Sequence, residues 1–234
     1  MIDRSLNYGR HLIHDFLLNS APYSTLLDIG AGVGHDLALS LQAAPDAQRI
    51  AIEAYDPYIE NLAQQGIHVH SLNIEKDQFP FADESIDVVI ANQVLEHTKE
   101  LFWIFHEITR VLPVGGKFII GVPNLASLHN RLLLLVGRQP TPIQNASAHV
   151  RGYTKHDILR FLSICFPGGY ELKHFGGSNF YPFHPIIARP MARIFPNMAW
   201  GIFLMFEKKK KYSQQFLDFP VEQNLETNFF LGSP

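Results

Sequence analysis

The segment TLLDIGAGVGHDLALSL, residues 25–41, closes an apolar run on Asp28 and follows it with Gly30, Gly32 and Gly34. Glycines at a strand end let the backbone turn tightly and approach a ligand closely, and a following helix offers free N–H groups at its start. A phosphate, a dinucleotide and a sulfonium nucleoside could all use such a loop. A dinucleotide fingerprint spaces its glycines G-x-G-x-x-G, whereas this loop reads D-I-G-A-G-V-G. Asp28 would repel a pyrophosphate, while a ligand carrying an ammonium and a sulfonium would gain from its charge. For the glycines alone, a turn that merely joins strand to helix is the plain alternative.

Further polar residues stand where later strands should end. Glu53 closes RIAIEA and could accept both hydroxyl protons of a ribose. Asp56 is its rival, but Pro57 follows it, which suits the cap of the next helix. Asn73 and Ile74 end the third run, where an amide can bond a purine edge and a branched side chain can pack on the ring; a turn residue is the alternative for Asn73. Asn92, Gln93, Glu96 and His97 follow the fourth run in IANQVLEH. Asn124 ends the fifth, and a later loop gathers His149, Arg151 and Tyr153: an expected base, cation and hydroxyl at an acceptor site. His97 and His129 are the rival bases, and local backbone bonding is the competing use of His149.

These positions need elements to hold them. Short apolar runs alternate with helix-like segments: STLLDIG, RIAIEA, IHVHSLN, SIDVVIAN and GKFIIGVPN as strands, with HDLALSLQAA, DPYIENLAQQG and ELFWIFHEITRVL as helices. Several strands are continuously apolar, as expected where helices cover both faces of a parallel sheet. The expectation is an α/β, doubly wound, seven-stranded and mostly parallel sheet, with YELKHFGG and MAWGIFLMFEKK as its last strands. A single domain over 1–234 is expected: 20–124 as the cofactor-binding core, 125–153 as a helical acceptor cap after the fifth strand, 154–211 completing the sheet and 212–234 as a tail.

The order of LLDIGAGVG, AIEAYDPYIENL, FPFADESIDVVIANQVLEH and RVLPVGGKFIIGVPN resembles the class I S-adenosylmethionine-dependent methyltransferases, in particular small-molecule enzymes of the ubiquinone-biosynthesis type. The resemblance covers roughly residues 20–124. It implies a Rossmann-like methyltransferase fold, S-adenosylmethionine as cofactor and S-adenosylhomocysteine as product. By it, Gly30, Gly32 and Gly34 cradle the methionine part, Glu53 holds the ribose hydroxyls, Asn73 with Ile74 addresses adenine, and Asn92 and Gln93 complete the edge with Asp28. Many relatives have Asp where Asn73 stands and Pro where Val114 stands. Methyltransferases of exocyclic nucleobase amines carry Asn or Asp, then Pro-Pro-aromatic, where this chain reads NQVLEH. An amino-nucleobase acceptor is therefore disfavoured. PNLASLHNRL and HVRGYT are similar to segments of enzymes of surface-polysaccharide or lipid modification. The implied acceptor is a small molecule, a hydroxyl of a saccharide, lipid-linked or quinone-like compound, met by Asn124, Arg151 and Tyr153.

Composition limits the alternatives. The chain has 234 residues, 47% of them hydrophobic, and a formal net charge of −3, which gives no long-range attraction to nucleic acid. One cysteine, no apolar leader and no apolar run near the roughly 20 residues that span a bilayer lead to the expectation of a cytoplasmic protein without stable membrane insertion. No metal is expected, because pairs such as His11/His14 and His68/His70 fall on different elements without supporting carboxylates. LLLLV at Leu132–Val136 is expected to be buried, with a membrane or subunit contact, such as a homodimer, as the other uses. The tail from Tyr212 is expected to be loose unless docked. An NAD-dependent oxidoreductase and a non-catalytic cofactor binder are the competing function classes.

Overall fold

The computed structural model describes residues 4–225 and 229–232. Its strands are β1 (Thr25–Ile29), β2 (Gln48–Ile52), β3 (His68–His70), β4 (Val88–Asn92), β5 (Lys117–Pro123), β6 (Tyr170–Ser178) and β7 (Gly201–Lys208). They form one seven-stranded sheet in the order β3-β2-β1-β4-β5-β7-β6. Only β7 runs antiparallel to its neighbours. The continuously apolar runs are the strands buried on both faces: β4 exposes no residue before Asn92, and β5 none after Lys117. The helices are α1 (Arg10–Ser20), α2 (His35–Ala43), α3 (Asp56–Gln64), α4 (Leu101–Val111), α5 (Leu128–Leu135), α6 (Lys155–Cys165), α7 (Pro185–Ile194) and α8 (Gln215–Glu222). One face of the sheet packs on α1, α2 and α3 through Ile13, Leu17, Leu37 and Leu62. The other packs on α4, α6 and α8 through Ile104, Ile108, Leu162 and Phe216.

The sheet order sets the place of a site. From β1 the chain winds outward to β2 and β3, then crosses back to lay β4 on the other side of β1. The loops leaving β1 and β4 therefore diverge to opposite faces, opening a crevice at their carboxyl ends. Asp28–Gly34 and Asn92–His97 are those two loops.

Several expectations need correction. The strand expected over residues 67–73 ends at His70, because Asn73 starts a turn: its side-chain oxygen accepts from Glu75 N at 2.9 Å and its own N–H donates to Asp77 Oδ2 at 2.7 Å. Asp56 is not the cap of α3 but its first residue, with Tyr55 before it and Pro57 in the first turn. The last strand starts at Gly201 rather than Met198, since Pro196–Met198 form a 3-10 turn. Leu132, Leu134, Leu135 and Val136 are 55, 58, 81 and 67% exposed, so the LLLLV run is not buried. The reason is Asn130, the one buried residue of α5: its amide donates to Asn124 O and accepts from Thr141 N, which turns the leucines outward.

The described part of the tail is docked rather than loose. Phe216 on α8 is fully buried among Phe105, Phe161 and Phe166, Phe229 meets Phe102 edge-on, and Phe230 N donates to Glu100 Oε2 at 2.7 Å. With α8 on one side and the sheet on the other, α4 buries ten of its eleven residues. At the other terminus, α1 adds Ile13, Phe16 and Leu17 at helical spacing. Among the described residues, no helix is long and apolar enough to cross a membrane.

Candidate functional site

The glycine loop owes its shape to backbone angles that side chains rarely adopt. Gly30, Gly32 and Gly34 have φ of 67°, 56° and 82°. Gly30 N donates to Ile52 O at 2.8 Å, and a Cβ at Gly30 would lie 2.5 Å from Val94 Cγ2 in the loop after β4. The two loops thus touch at Gly30. A Cβ at Gly32 would meet nothing within 4 Å, so its backbone faces open space in the crevice.

Glu53 leaves β2 beside this loop. One carboxylate oxygen accepts from Gly32 N at 2.8 Å, and the other accepts from Ala54 N at 2.8 Å and Tyr55 N at 3.0 Å. Two oxygens offer about four lone-pair positions, so accepting both ribose hydroxyls requires the Gly32 bond to yield. Asp56 stands apart on α3, exposed to solvent.

Negative charge collects at the crevice. Asp28 is buried, and burial, followed by the charges of Asp36 and Glu53, pushes its carboxyl well above the usual range. Burial also raises Asp36, against the opposing pull of the Asn92 hydrogen bond and Arg10. Asn92 Nδ2 donates to Asp36 Oδ2 at 2.7 Å and to Tyr8 O at 3.1 Å. Among the described residues, four buried atoms here have no hydrogen-bond partner: Asp36 Oδ1, Asn92 Oδ1, Gln93 Nε2 and Arg10 Nε. Buried polar atoms are almost always paired, so such a set marks a place where another group belongs.

The two residues expected to address adenine lie beyond β3. Asn73 lies three residues beyond β3, exposed, with its carbonyl oxygen engaged in the turn. Its NH2 group is the part left to address a purine edge. Ile74 is half-buried against the core that lines the sheet edge.

The loop after β4 becomes a 3-10 turn, Leu95–His97, and holds the second segment in place. Glu96 O accepts from Val150 N at 2.8 Å and Arg151 N at 3.3 Å, which brings His149 against His97 with ring centroids 4.7 Å apart. His97 Nδ1 lies 3.3 Å from Ala148 O, and because a carbonyl can only accept, the ring nitrogen carries the proton. Burial lowers the His149 pKa, His97 lowers it further, and the Pro142 backbone works against both. Glu96 is 1% exposed and burial raises its pKa to about 7. Donor atoms of Glu96, His97 and His149 all lie within 4.8 Å of one another.

Two expected acceptor residues have structural duties instead. Asn124 is buried, donating through Nδ2 to Asn197 O and Ala199 O and accepting from Ala126 N. The Tyr153 hydroxyl donates to Leu95 O at 3.1 Å, and burial raises its pKa. The Asn124 amide is thus engaged at both ends, while the Tyr153 ring lines the cavity beside Arg151. Arg151 is partly engaged: Nη2 donates to Lys99 O at 2.7 Å while Nε is buried without a partner among the described residues. It lines an apolar cavity of about 340 Å³ with Phe102, Phe105, Phe161 and Phe229. His129 sits elsewhere, 3.0 Å from Thr141 Oγ1. Sequence reasoning missed Tyr8, Arg10 and Asp36. An acidic residue in the first turn of the helix after the glycine loop was the available signal for Asp36.

Residues 27–120 match the family model of a methyltransferase domain. Residues 27–120 form a class I S-adenosylmethionine-dependent methyltransferase domain. An arsenite methyltransferase of Halobacterium salinarum is 35% identical over 106 residues, 43% of this chain and 27% of that protein. A malonyl-[acyl-carrier protein] O-methyltransferase of Methylococcus capsulatus is 27% identical over 110 residues, 46% of this chain and 40% of its own. The chain spans less than half the length of the curated relatives it matches. A Burkholderia thailandensis 1,6-didemethyltoxoflavin-N1-methyltransferase, solved with bound S-adenosylhomocysteine, superposes with a TM-score of 0.57 at 15% identity, over 86% of this chain and 78% of that one, which shows a shared fold. The family match runs from β1 into β5, and so takes in the glycine loop, Glu53 and the Glu96–His97 turn of the methyltransferase domain. It stops before His149 and Arg151.

Proposed function

We propose that this chain is an S-adenosylmethionine-dependent methyltransferase acting on a hydroxyl of a small, partly apolar acceptor. The observation that carries the reading is the crevice between β1 and β4, where burial and then the charges of Asp36 and Glu53 raise the proton affinity of Asp28, beside buried atoms that lack partners among the described residues. A cationic ligand relieves that repulsion, and an anionic pyrophosphate worsens it. The residues therefore fit a cofactor bearing an ammonium and a sulfonium, and disfavour a nicotinamide dinucleotide.

In this reading Gly32 lets the backbone lie against the ligand, Asp28 and Asp36 hold its positive end, Glu53 takes the ribose hydroxyls, and Ile74 with Asn73 flanks the base. Once bound, S-adenosylmethionine supplies a methyl group on a cationic sulfur and is left as neutral S-adenosylhomocysteine. The protein's task is then mainly alignment, with removal of the acceptor proton. His149 and His97 are the titratable groups at the crevice edge. The lowered pKa of His149 keeps its imidazole neutral and able to accept a proton near neutral pH.

An apolar acceptor suits the cavity beside Arg151 and the exposed Leu132–Val136 ridge, which a second copy of the chain could also cover. The relatives' names span arsenite, a carrier-bound malonyl group and a didemethyltoxoflavin, so methyl transfer is their common element and the acceptor varies. The test is formation of S-adenosylhomocysteine from S-adenosylmethionine against a panel of saccharide, quinol and lipid-linked alcohols. Turnover with one class establishes the enzyme. Tight cofactor binding without turnover on any of them favours a non-catalytic binder.

A further inference from the structure

Glu96, His97 and His149 converge although one turn and a distant loop supply them. Their donor atoms lie within 4.8 Å of one another, while a tetrahedral ion with bonds of roughly 2.1 Å needs its ligands roughly 3.4 Å apart. Closing the remaining distance takes only side-chain adjustment. Two independent features mark polar atoms in this cluster that lack partners. Glu96 is 1% exposed, and its Oε2 has no hydrogen-bond partner among the described residues. His149 Nδ1 likewise has no hydrogen-bond partner among the described residues, although the Pro142 backbone lies close enough to act on the ring. The third ligand is already oriented: with its Nδ1 proton directed at Ala148 O, His97 presents the lone pair of Nε2, as metal-bound histidines do when a backbone carbonyl fixes their tautomer.

We propose that Glu96, His97 and His149 form a binding site for one divalent first-row transition cation. A carboxylate with two imidazoles is a borderline donor set, suited to zinc, cobalt, iron or manganese rather than to calcium or magnesium. Three protein ligands leave at least one coordination position open. The site adjoins the crevice through Gln93 and Val94, the latter in contact with the glycine loop. Its use rests on the methyltransferase reading: a cation there would bind the acceptor's hydroxyl oxygen and lower its pKa. The O–H bond would then break with the electron pair kept by oxygen and the proton released to solvent buffer. Under this assignment the two histidines act as ligands and not as bases, and the sequence-based expectation of no metal is replaced.

The test uses the untagged full chain, stripped with a chelator and titrated with Co²⁺. Neither cofactor nor acceptor is needed. The expected result is one equivalent bound with a Kd in the micromolar range or tighter, and visible d–d bands of a four- or five-coordinate ion. Glu96→Gln, His97→Ala and His149→Ala should each weaken binding by at least roughly tenfold to 100-fold with cooperative thermal unfolding retained. His156→Ala, at an exposed position of α6, should change nothing. Absence of bands and heat at millimolar Co²⁺, or binding that survives His149→Ala and His97→Ala unchanged, overturns the site. The two readings fail separately: Co²⁺ binding without methyl transfer sinks the function and keeps the site. Transfer that is indifferent to chelator, in a chain that binds no Co²⁺, does the reverse.

Discussion

Gly32 and Gly66 make the same backbone demand in different places. Their φ values are 56° and 74°, and a Cβ at either would meet nothing within 4 Å. Placing alanine in the left-handed region costs roughly 1 to 2 kcal/mol, so Gly32→Ala and Gly66→Ala should lower stability by similar amounts. Their effects on the cofactor should differ. Gly66 follows α3 and donates its N–H to Ala63 O within that turn, whereas Gly32 donates to Glu53 and lies in the loop proposed to receive the ligand. An added methyl in a close-packed contact costs roughly 1 to 3 kcal/mol, or about a 5- to 150-fold rise in Kd. Calorimetric titration with S-adenosylhomocysteine, paired with thermal unfolding of each variant, reads both quantities. Gly32→Ala should lose affinity in that range while Gly66→Ala keeps the parent value. Equal affinities for the two variants would show that the open space at Gly32 is not the ligand's, and the crevice would lose its assignment.

Glu53→Ala should weaken the cofactor by roughly 1.5 to 3 kcal/mol, the worth of hydrogen bonds to a charged acceptor, while Asp56→Ala should leave it unchanged; the reverse pattern in the same titration would move the ribose to α3. Phe216→Ala should destabilise the fold by roughly 3 to 5 kcal/mol in denaturant titration, because the ring is fully buried, whereas Val221→Ala on the exposed side of α8 should cost under about 0.5 kcal/mol. A small effect at Phe216 would mean that the tail does not dock. Glu207 pairs with Lys117 and Lys209 at 2.7 Å each, and these two hold its pKa down at about 2 against an ordinary 4.5. Its folded pKa is depressed, so its contribution is present above pH ~4.5 and is lost as pH falls towards ~2. Glu207→Gln should therefore be less stable than the parent at neutral pH, by up to about 1 kcal/mol. The gap should close over that acid range, and a gap independent of pH would contradict the pairing.

Much of the cofactor half was legible because it is local. β4 and β5 are apolar almost throughout and β1 and β2 carry apolar cores, and Asp28–Gly34, Glu53 and Asn92–Gln93 at their carboxyl ends occupy the positions their places in the chain imply. What failed depends on contacts between distant segments. Asn124 and Tyr153 read as free polar groups, yet their partners are carbonyls of residues remote in sequence, Ala199 and Leu95. The leucines of α5 read as core, but Asn130 takes the inward face by bonding Asn124 and Thr141. The tail's phenylalanines look sparse until α4 offers a second apolar side, and Glu96 gains His149 only through backbone bonds from Val150 and Arg151. Periodicity cannot report a surface made by two elements at once.

The central claim is that the crevice between β1 and β4 holds S-adenosylmethionine, and isothermal titration of the chain with S-adenosylhomocysteine tests it directly. The account predicts one site with a Kd in the micromolar range or tighter, about −8 kcal/mol at that threshold. No heat and no thermal shift at about millimolar S-adenosylhomocysteine, with a shift produced by NADH instead, would contradict it.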